Sequence, residues 1–440
     1  MHLYGTQAIN EQGHLTIGGV DSTALAKEYG TPLFVYDIGL FRNRARAFQQ
    51  TFEAAGIGYQ VAYASKAFSS IAIYQVAAQE GLSLDVVSGG ELFTAIKAGF
   101  PKEKIHFHGN NKSWDELQMA FDEEIGCIVV DNFREIDMLK SLSEQLQHPM
   151  NILLRVTPGI EAHTHDYITT GQEDSKFGFD LNNGQADQAF NATYQHQFLN
   201  VLGLHCHIGS QIFDTTAFRM AAGKLVSKMA DWQKETGYRC PVLNLGGGFG
   251  IRYTAEDQPL EPSEYVREMI DTVKDITEQT GFAIPEIWIE PGRSLVGDAG
   301  TTLYTIGSMK EVPEVRKFIA VDGGMSDNIR PALYGAAYSS MIANKGQQAL
   351  TETYTVAGKC CESGDKLIEK AELPEAEAGD ILAVFCTGAY GYSMASNYNR
   401  IARPAVVFAE NGSHQLAVRR ETNEDIVSLD LAYNAKAAVK

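Results

Sequence analysis

VAYASKAFSS, residues 61–70, is the stretch that decides the fold. It opens on an apolar run, Val61-Ala62-Tyr63-Ala64, and stops at Ser65-Lys66. The amphipathic stretch SIAIYQVAAQEG follows. A short apolar run closed by polar residues reads as a buried strand, and the periodicity after it reads as a helix. The unit is therefore strand, turn and helix, with a lysine at the strand end. For a lone lysine the plain reading is a solvated head on a stem that covers apolar surface. The sharper reading is an amine held where desolvation lowers its pKa, ready to form a Schiff base. Lys66 by itself does not choose between them.

The same unit recurs along the chain. Apolar runs at 60–65, 83–88, 105–109, 126–131, 151–156, 201–209, 242–248 and 287–292 alternate with amphipathic stretches such as GELFTAIKAGF and REIDMLKSLSEQL. Eight β/α units over about 250 residues have the rhythm of a (β/α)8 TIM barrel. A doubly wound open sheet competes, because counting units does not prove closure. After about residue 300 the rhythm changes. KFIAVDGG, ALTETYTVAG, DILAVFCTGAYG and PAVVFAENGSHQLAVRR are strand-like without long helices between them. Glu410-Asn411-Gly412-Ser413 is a hairpin signal. The expected organisation is an N-terminal segment, 1–37, whose strand at 32–37 joins a C-terminal all-β domain at 304–440, with the barrel at 38–303.

Composition narrows the function. The chain has 440 residues, 44% hydrophobic and 21% charged, as a globular enzyme does. A formal net charge of −19 argues against nucleic acid or an anionic membrane surface as partner. No apolar run approaches the roughly 20 residues of a membrane span. MHLYGTQAIN lacks a basic region followed by an apolar one, so no signal peptide is expected. The six cysteines lack metal-knuckle spacing and read as reduced thiols in a cytoplasm.

Polar groups collect at the strand ends, where a barrel carries its active site. They are Lys66 after the first run, His106 and His108 in the third, Arg155 in the fifth and His205-Cys206-His207-Ile208-Gly209-Ser210 in the sixth. The seventh ends in Gly246-Gly247-Gly248 and the eighth in Glu290-Pro291-Gly292-Arg293. Barrels often bind phosphate with the loops after strands 7 and 8, and glycines let backbone N–H groups face an anion. The glycine run could also be a plain tight turn. Three HxH pairs, His106/His108, His163/His165 and His205/His207, raise a metal-dependent hydrolase as rival. That rival wants HxH on the first strand and an aspartate on the last. Lys66 and Glu290 stand there instead, so no metal is assigned, and His205 reads as an interior hydrogen-bonded histidine. Lysine, phosphate cradle and carboxylate at one barrel mouth suggest pyridoxal 5'-phosphate. Lys66 would hold its aldehyde, and His207 would stack on its ring. Glu290 would meet the pyridine nitrogen. Gly246, Gly247, Gly248, Ser210 and the loop of Pro291 and Gly292 would take the phosphate.

VAYASKAF, GLHCHIGSQI, LNLGGGFGI, EPGRSLV, VDGGMSDNIRPALYGA, CCESGD and GAYGYSMASNYN, in this order, closely resemble the diaminopimelate decarboxylases. These belong to the alanine-racemase-like class of pyridoxal-phosphate enzymes. The resemblance implies a barrel plus a β-domain, a homodimer with active sites at the subunit interface, and decarboxylation of meso-diaminopimelate to L-lysine. It places the Schiff-base lysine at Lys66, the stacking histidine at His207 and the pyridine partner at Glu290. It assigns substrate contacts to Arg293, Arg330, Tyr334, Glu362 and Tyr390, with Tyr390 also near the cofactor. Cys361 matches the proton donor. Lys359-Cys360 departs from the family, which often has a proline after the glycine; the role goes to Cys361 because it directly precedes Glu362. A carboxylate at Glu290 favours decarboxylase over racemase, since it keeps the ring nitrogen protonated. Carboxynorspermidine and ornithine or arginine decarboxylases are the rivals by substrate. A non-catalytic relative that binds the cofactor is disfavoured by the presence of Lys66 and Cys361.

Overall fold

Among the described residues, eight parallel strands close on themselves. They are β1 (Tyr59–Ala64), β2 (Ser83–Val86), β3 (Ile105–Phe107), β4 (Cys127–Val130), β5 (Met150–Thr157), β6 (Leu199–His205), β7 (Val242–Asn244) and β8 (Glu286–Ile289). Each pairs with the next, and β8 returns to β1 through Ile287 opposite Tyr59 and Ile289 opposite Val61. That last ladder is what an open sheet lacks, so the doubly wound alternative is excluded. The computed structural model describes residues 2–160 and 175–433. The chain forms two compact units, one of Met1–Gly5 with Ile38–Ala299, the other of Thr6–Asp37 with Gly300–Lys440.

The barrel strands are buried on both faces, which is why they read as continuous apolar runs. The helices between them start where short polar side chains can satisfy free backbone N–H groups. The Ser70 hydroxyl accepts from the Ile73 N–H and opens helix Ile71–Gln79. Ser88 does the same for Gly89–Ala98, and Asn132 for Phe133–Leu146. Helix Pro262–Thr280 has proline at its start and buries Tyr265, Val266, Met269, Ile270 and Val273, one face at helical spacing. Inside the barrel, Cys127, Val129, Leu153, Val242 and Trp288 pack together as an apolar floor. His106 lies flat on Trp288, with ring centroids 4.4 Å apart, and its Nε2 is 3.0 Å from Gln60 Oε1. Burial pushes His106 down to about 3, so the floor is uncharged.

The second unit is built on an extended sheet. Strand Leu33–Asp37 sits between Gly300–Val312, antiparallel, and Ala405–Glu410, parallel. All five of its residues are buried, so the N-terminal strand is central to this sheet and not an edge addition. Ala405–Glu410 and Ser413–Val418 form a hairpin with Glu410 opposite Ser413. Its Asn411-Gly412 loop has φ +52° and +77°, the pair that a two-residue type I′ turn requires. The sequence left several elements unassigned: the 13-residue strand Gly300–Val312, strand Lys366–Leu373, three short strands between Ala8 and Asp21, and helix Ser22–Tyr29. No helix among the described residues is long and apolar enough to cross a membrane.

Candidate active site

Side chains two residues apart on a strand share a face. In a barrel, successive residues of that face form successive interior layers. This explains the HxH spacing without a metal: His106 belongs to the floor, and His108 sits one layer up, beside Glu290. The upper layer is polar and buried, with Asp85, His108, Arg155, His205, Asn244 and Glu290. His163 and His165 lie outside the described residues.

Glu290 is the centre of this layer. Asn244 Nδ2 donates to its Oε1 at 2.7 Å, and His205 Nε2 lies 3.0 Å from Oε2. His108 Nε2 lies 3.0 Å from Oε1 and 3.7 Å from Asp85 Oδ1. Burial works against a charge here, yet the two imidazoles outweigh it and hold the Glu290 carboxyl well below the usual carboxylate range. Burial pushes Asp85 the other way, to about 6, against the pull of His108 and Lys66. His108, His205 and Glu290 offer ligand atoms within 4.8 Å of one another. Each imidazole Nε2 stands 3.0 Å from a Glu290 oxygen, and of the two only His205 makes the hydrogen bond.

Lys66 follows β1 in a single tight turn, Ser65–Ala67. Its neighbours are tied down. Ser65 Oγ donates to Glu91 Oε2 at 2.8 Å, and the Val87 N–H donates to the same oxygen. Tyr63 Oη donates to the Phe68 carbonyl at 2.6 Å. The Ala64 N–H donates to the Pro291 carbonyl, which joins the ends of β1 and β8. A Cβ on Gly292 would come 2.9 Å from Ala64 Cβ, so this junction admits no side chain. Burial, then the Lys66 and Arg155 cations, pushes His207 well below the ordinary imidazole range. Its ring is neutral, and Nδ1 accepts from the Gly247 N–H at 3.3 Å, which leaves the proton on Nε2.

The glycine run has a packing reason of its own. A Cβ on Gly247 would lie 2.1 Å from the Glu290 carbonyl oxygen, and one on Gly246 2.4 Å from that of Cys206. The ends of β6, β7 and β8 therefore meet backbone to backbone at this point. Beside them Arg293 is buried, with Nε and Nη2 donating to Ser210 Oγ at 3.2 and 3.0 Å and Nη1 donating to Tyr253 Oη. The guanidinium is thus held at a corner between two hydroxyls. Lys66, His207, Ser210, Gly246, Gly247, Gly248, Glu290, Pro291, Gly292 and Arg293 thus all stand at the C-terminal ends of β1, β6, β7 and β8.

The other expected residues belong to the second unit. Arg330 opens the short helix Arg330–Tyr334, is buried, and donates from Nη1 to Tyr338 Oη at 2.7 Å. Tyr334 is half-buried. Tyr390 is half-buried at φ +60°, a strained conformation for a bulky residue that marks a constrained loop. Cys361 and Glu362 are exposed, whereas Cys360 is buried and its thiol is pushed up by burial. Of the two adjacent thiols, Cys361 is the exposed one. Asp365 fixes their loop: it accepts from the N–H groups of Met325 and Cys360 at 2.7 and 2.8 Å. Gly324 and Gly358 leave room for that carboxylate, since a Cβ there would approach it to 2.4 and 2.2 Å.

Sequence reasoning did not single out Asp85, Glu91, Asn244, Tyr253 or Asp365. Asn244 and Asp85 carried a usable signal, for both are polar residues inside apolar strand runs. The supports of Lys66 and of the Cys361 loop carried none, because they come from sequence-distant elements.

Known proteins resemble this chain over its whole length. The family model described as the pyridoxal-binding domain of pyridoxal-dependent decarboxylases matches residues 38–297. A diaminopimelate decarboxylase of Bacillus subtilis is 63% identical over 440 residues, all of both chains. The crystal structure of diaminopimelate decarboxylase from M. jannaschii in co-complex with L-lysine matches at a TM-score of 0.91 and 35% identity, covering 97% of this chain and 98% of that one. A lysine/ornithine decarboxylase of Vibrio vulnificus, crystallised with putrescine, matches at 0.76 and 20% identity over 88% of this chain and 97% of its own, a likeness of fold alone.

Proposed function

The chain belongs to the diaminopimelate decarboxylases, a branch of the pyridoxal-dependent decarboxylases, and from that premise we propose that it removes CO2 from meso-2,6-diaminopimelate to leave L-lysine, the last step of lysine biosynthesis. The observation that carries this reading is the buried Glu290, held by Asn244 and His205, in the same barrel mouth as Lys66, His207 and the Arg293–Ser210 pair. This donor set suits pyridoxal 5'-phosphate. When bound, the cofactor supplies the electron sink for the bond electrons that CO2 leaves behind.

The residues have separate tasks. Lys66 would hold the cofactor aldehyde through its amine, and His207 would take its ring. Glu290 would keep a proton on the ring nitrogen. Ser210 and Arg293, with Gly246, Gly247, Gly248 and the turn at Pro291 and Gly292, would take the phosphate. Arg293 would also serve the substrate side. Cys361 would be the proton donor. Arg330 takes the distal carboxylate of the substrate and Glu362 its distal ammonium, while Tyr334 and Tyr390 line the same site. The fold is shared with a lysine/ornithine decarboxylase, so the fold does not select the substrate; Arg330 and Glu362 do.

Borohydride reduction of the loaded protein followed by peptide mapping is expected to tag Lys66. A tag on another lysine removes the central assignment. We place the enzyme in the cytoplasm as a homodimer in which Cys361 and Glu362 of one subunit complete the partner's barrel site. Support comes from the division of the proposed residues between two compact units and from the family resemblance. Mixing inactive Lys66→Ala with inactive Cys361→Ala should then restore part of the activity, because one hybrid site carries both intact residues. No recovery after demonstrated subunit exchange counts against a shared site.

A further inference from the structure

Glu290 is gripped on both oxygens from inside the barrel. A carboxylate offers about four acceptor positions. On Oε1, one takes the Asn244 amide at 2.7 Å; His108 Nε2 stands 3.0 Å from the same oxygen without making a hydrogen bond. On Oε2, one faces His205 Nε2 at 3.0 Å. Oε2 keeps a further position.

We propose that His205 is a positioning residue for Glu290: with Asn244 it fixes the plane of the carboxylate and leaves an acceptor position on Oε2 for the cofactor's ring N–H. The inference rests on the function proposed above. The choice of imidazole has a physical reason. An arginine or lysine in its place would cancel the charge that Glu290 must offer to the ring nitrogen. A neutral imidazole donates a hydrogen bond and leaves the charge in place. His205 is buried, and its Nδ1 has no hydrogen-bond partner. A protonated ring would leave an unmet N–H there, so the neutral form with its proton on Nε2 is the one that fits. Burial favours the same form. His106 stacked on Trp288 closes the floor beneath, so the charge on Glu290 is directed toward the barrel mouth.

Three full-length proteins loaded with ¹⁵N-labelled pyridoxal phosphate test this: wild type, His205→Leu and His205→Gln. The ring-nitrogen signal reports its protonation directly. Wild type and His205→Gln, whose amide still donates, should show a protonated nitrogen. His205→Leu should shift toward the unprotonated value, with turnover lower by about tenfold or more, the worth of one hydrogen bond to a charged group. In a Glu290→Gln background the leucine should move the nitrogen signal no further, since its route of action is gone. A folded, loaded His205→Leu with an unmoved nitrogen signal overturns the inference, and continued CO2 release by wild type would leave the proposed function standing. Wild type that binds no pyridoxal phosphate would instead defeat that function. Should His205→Leu fail to fold, imidazole ¹⁵N shifts of the wild-type holoenzyme decide: His205 must be neutral with the proton on Nε2, and a doubly protonated ring there overturns the proposal.

Discussion

Glu290→Gln is expected to keep most of its cofactor and to lose about 10²–10³ of its turnover, the usual effect of removing one preorganised electrostatic group. Two donors, from Asn244 and His205, meet the native carboxylate, one on each oxygen. A glutamine has one oxygen and one amide nitrogen to offer them. At least one donor then faces another donor, and an imidazole must exchange its tautomer to avoid the conflict. The negative charge is lost in any case, so the ring nitrogen has no reason to stay protonated. Cofactor retention is expected because Lys66 and the Arg293–Ser210 corner are untouched. Cofactor content by absorbance and kcat by CO2 release measure the two halves separately. An unchanged kcat would remove Glu290 from the mechanism.

Arg330→Met should lower kcat/KM for meso-diaminopimelate by about 10²-fold or more, while hardly changing any turnover of an amine-tailed substrate such as ornithine. Arg330 is buried, and its guanidinium donates to Tyr338 Oη. Breaking one partner of a buried charge pair costs about 2–5 kcal/mol, and each 1.4 kcal/mol is about tenfold. Methionine keeps the stem's volume and leaves the distal carboxylate of the substrate without a cation. A substrate that ends in an amine has no carboxylate to lose. The comparison is therefore between substrates in one variant, which cancels any general loss of fold. Equal losses on both substrates would show that Arg330 supports structure and does not select.

The barrel was legible because its strands are buried on both faces and so appear as uninterrupted apolar runs. Its closure was not, since Ile287 and Tyr59 meet only across more than two hundred residues of chain. Gly300–Val312 escaped notice because its second half is exposed and polar and the barrel was expected to run to residue 303. The placement of polar groups is legible where they lie on strand ends: Lys66, His207, Glu290 and Arg293 all stand where the unit count puts them. The environment of Glu290 was not. HxH at strand spacing looks like a metal pair in one dimension, and only the closed barrel brings His108 and His205 to the two oxygens of one carboxylate. The sequence suggests that the glycines at 246–248 turn N–H groups toward an anion; their packing reason, that a Cβ there would strike the backbone at Cys206, Glu290 and Gly209, shows only in three dimensions.

The most direct test of the account is CO2 release by the purified protein from meso-diaminopimelate, ornithine, arginine and carboxynorspermidine at equal concentration, with pyridoxal phosphate present. Rapid release from meso-diaminopimelate with L-lysine as product is expected, with little or none from the other three. Faster turnover of ornithine or carboxynorspermidine than of meso-diaminopimelate would contradict it.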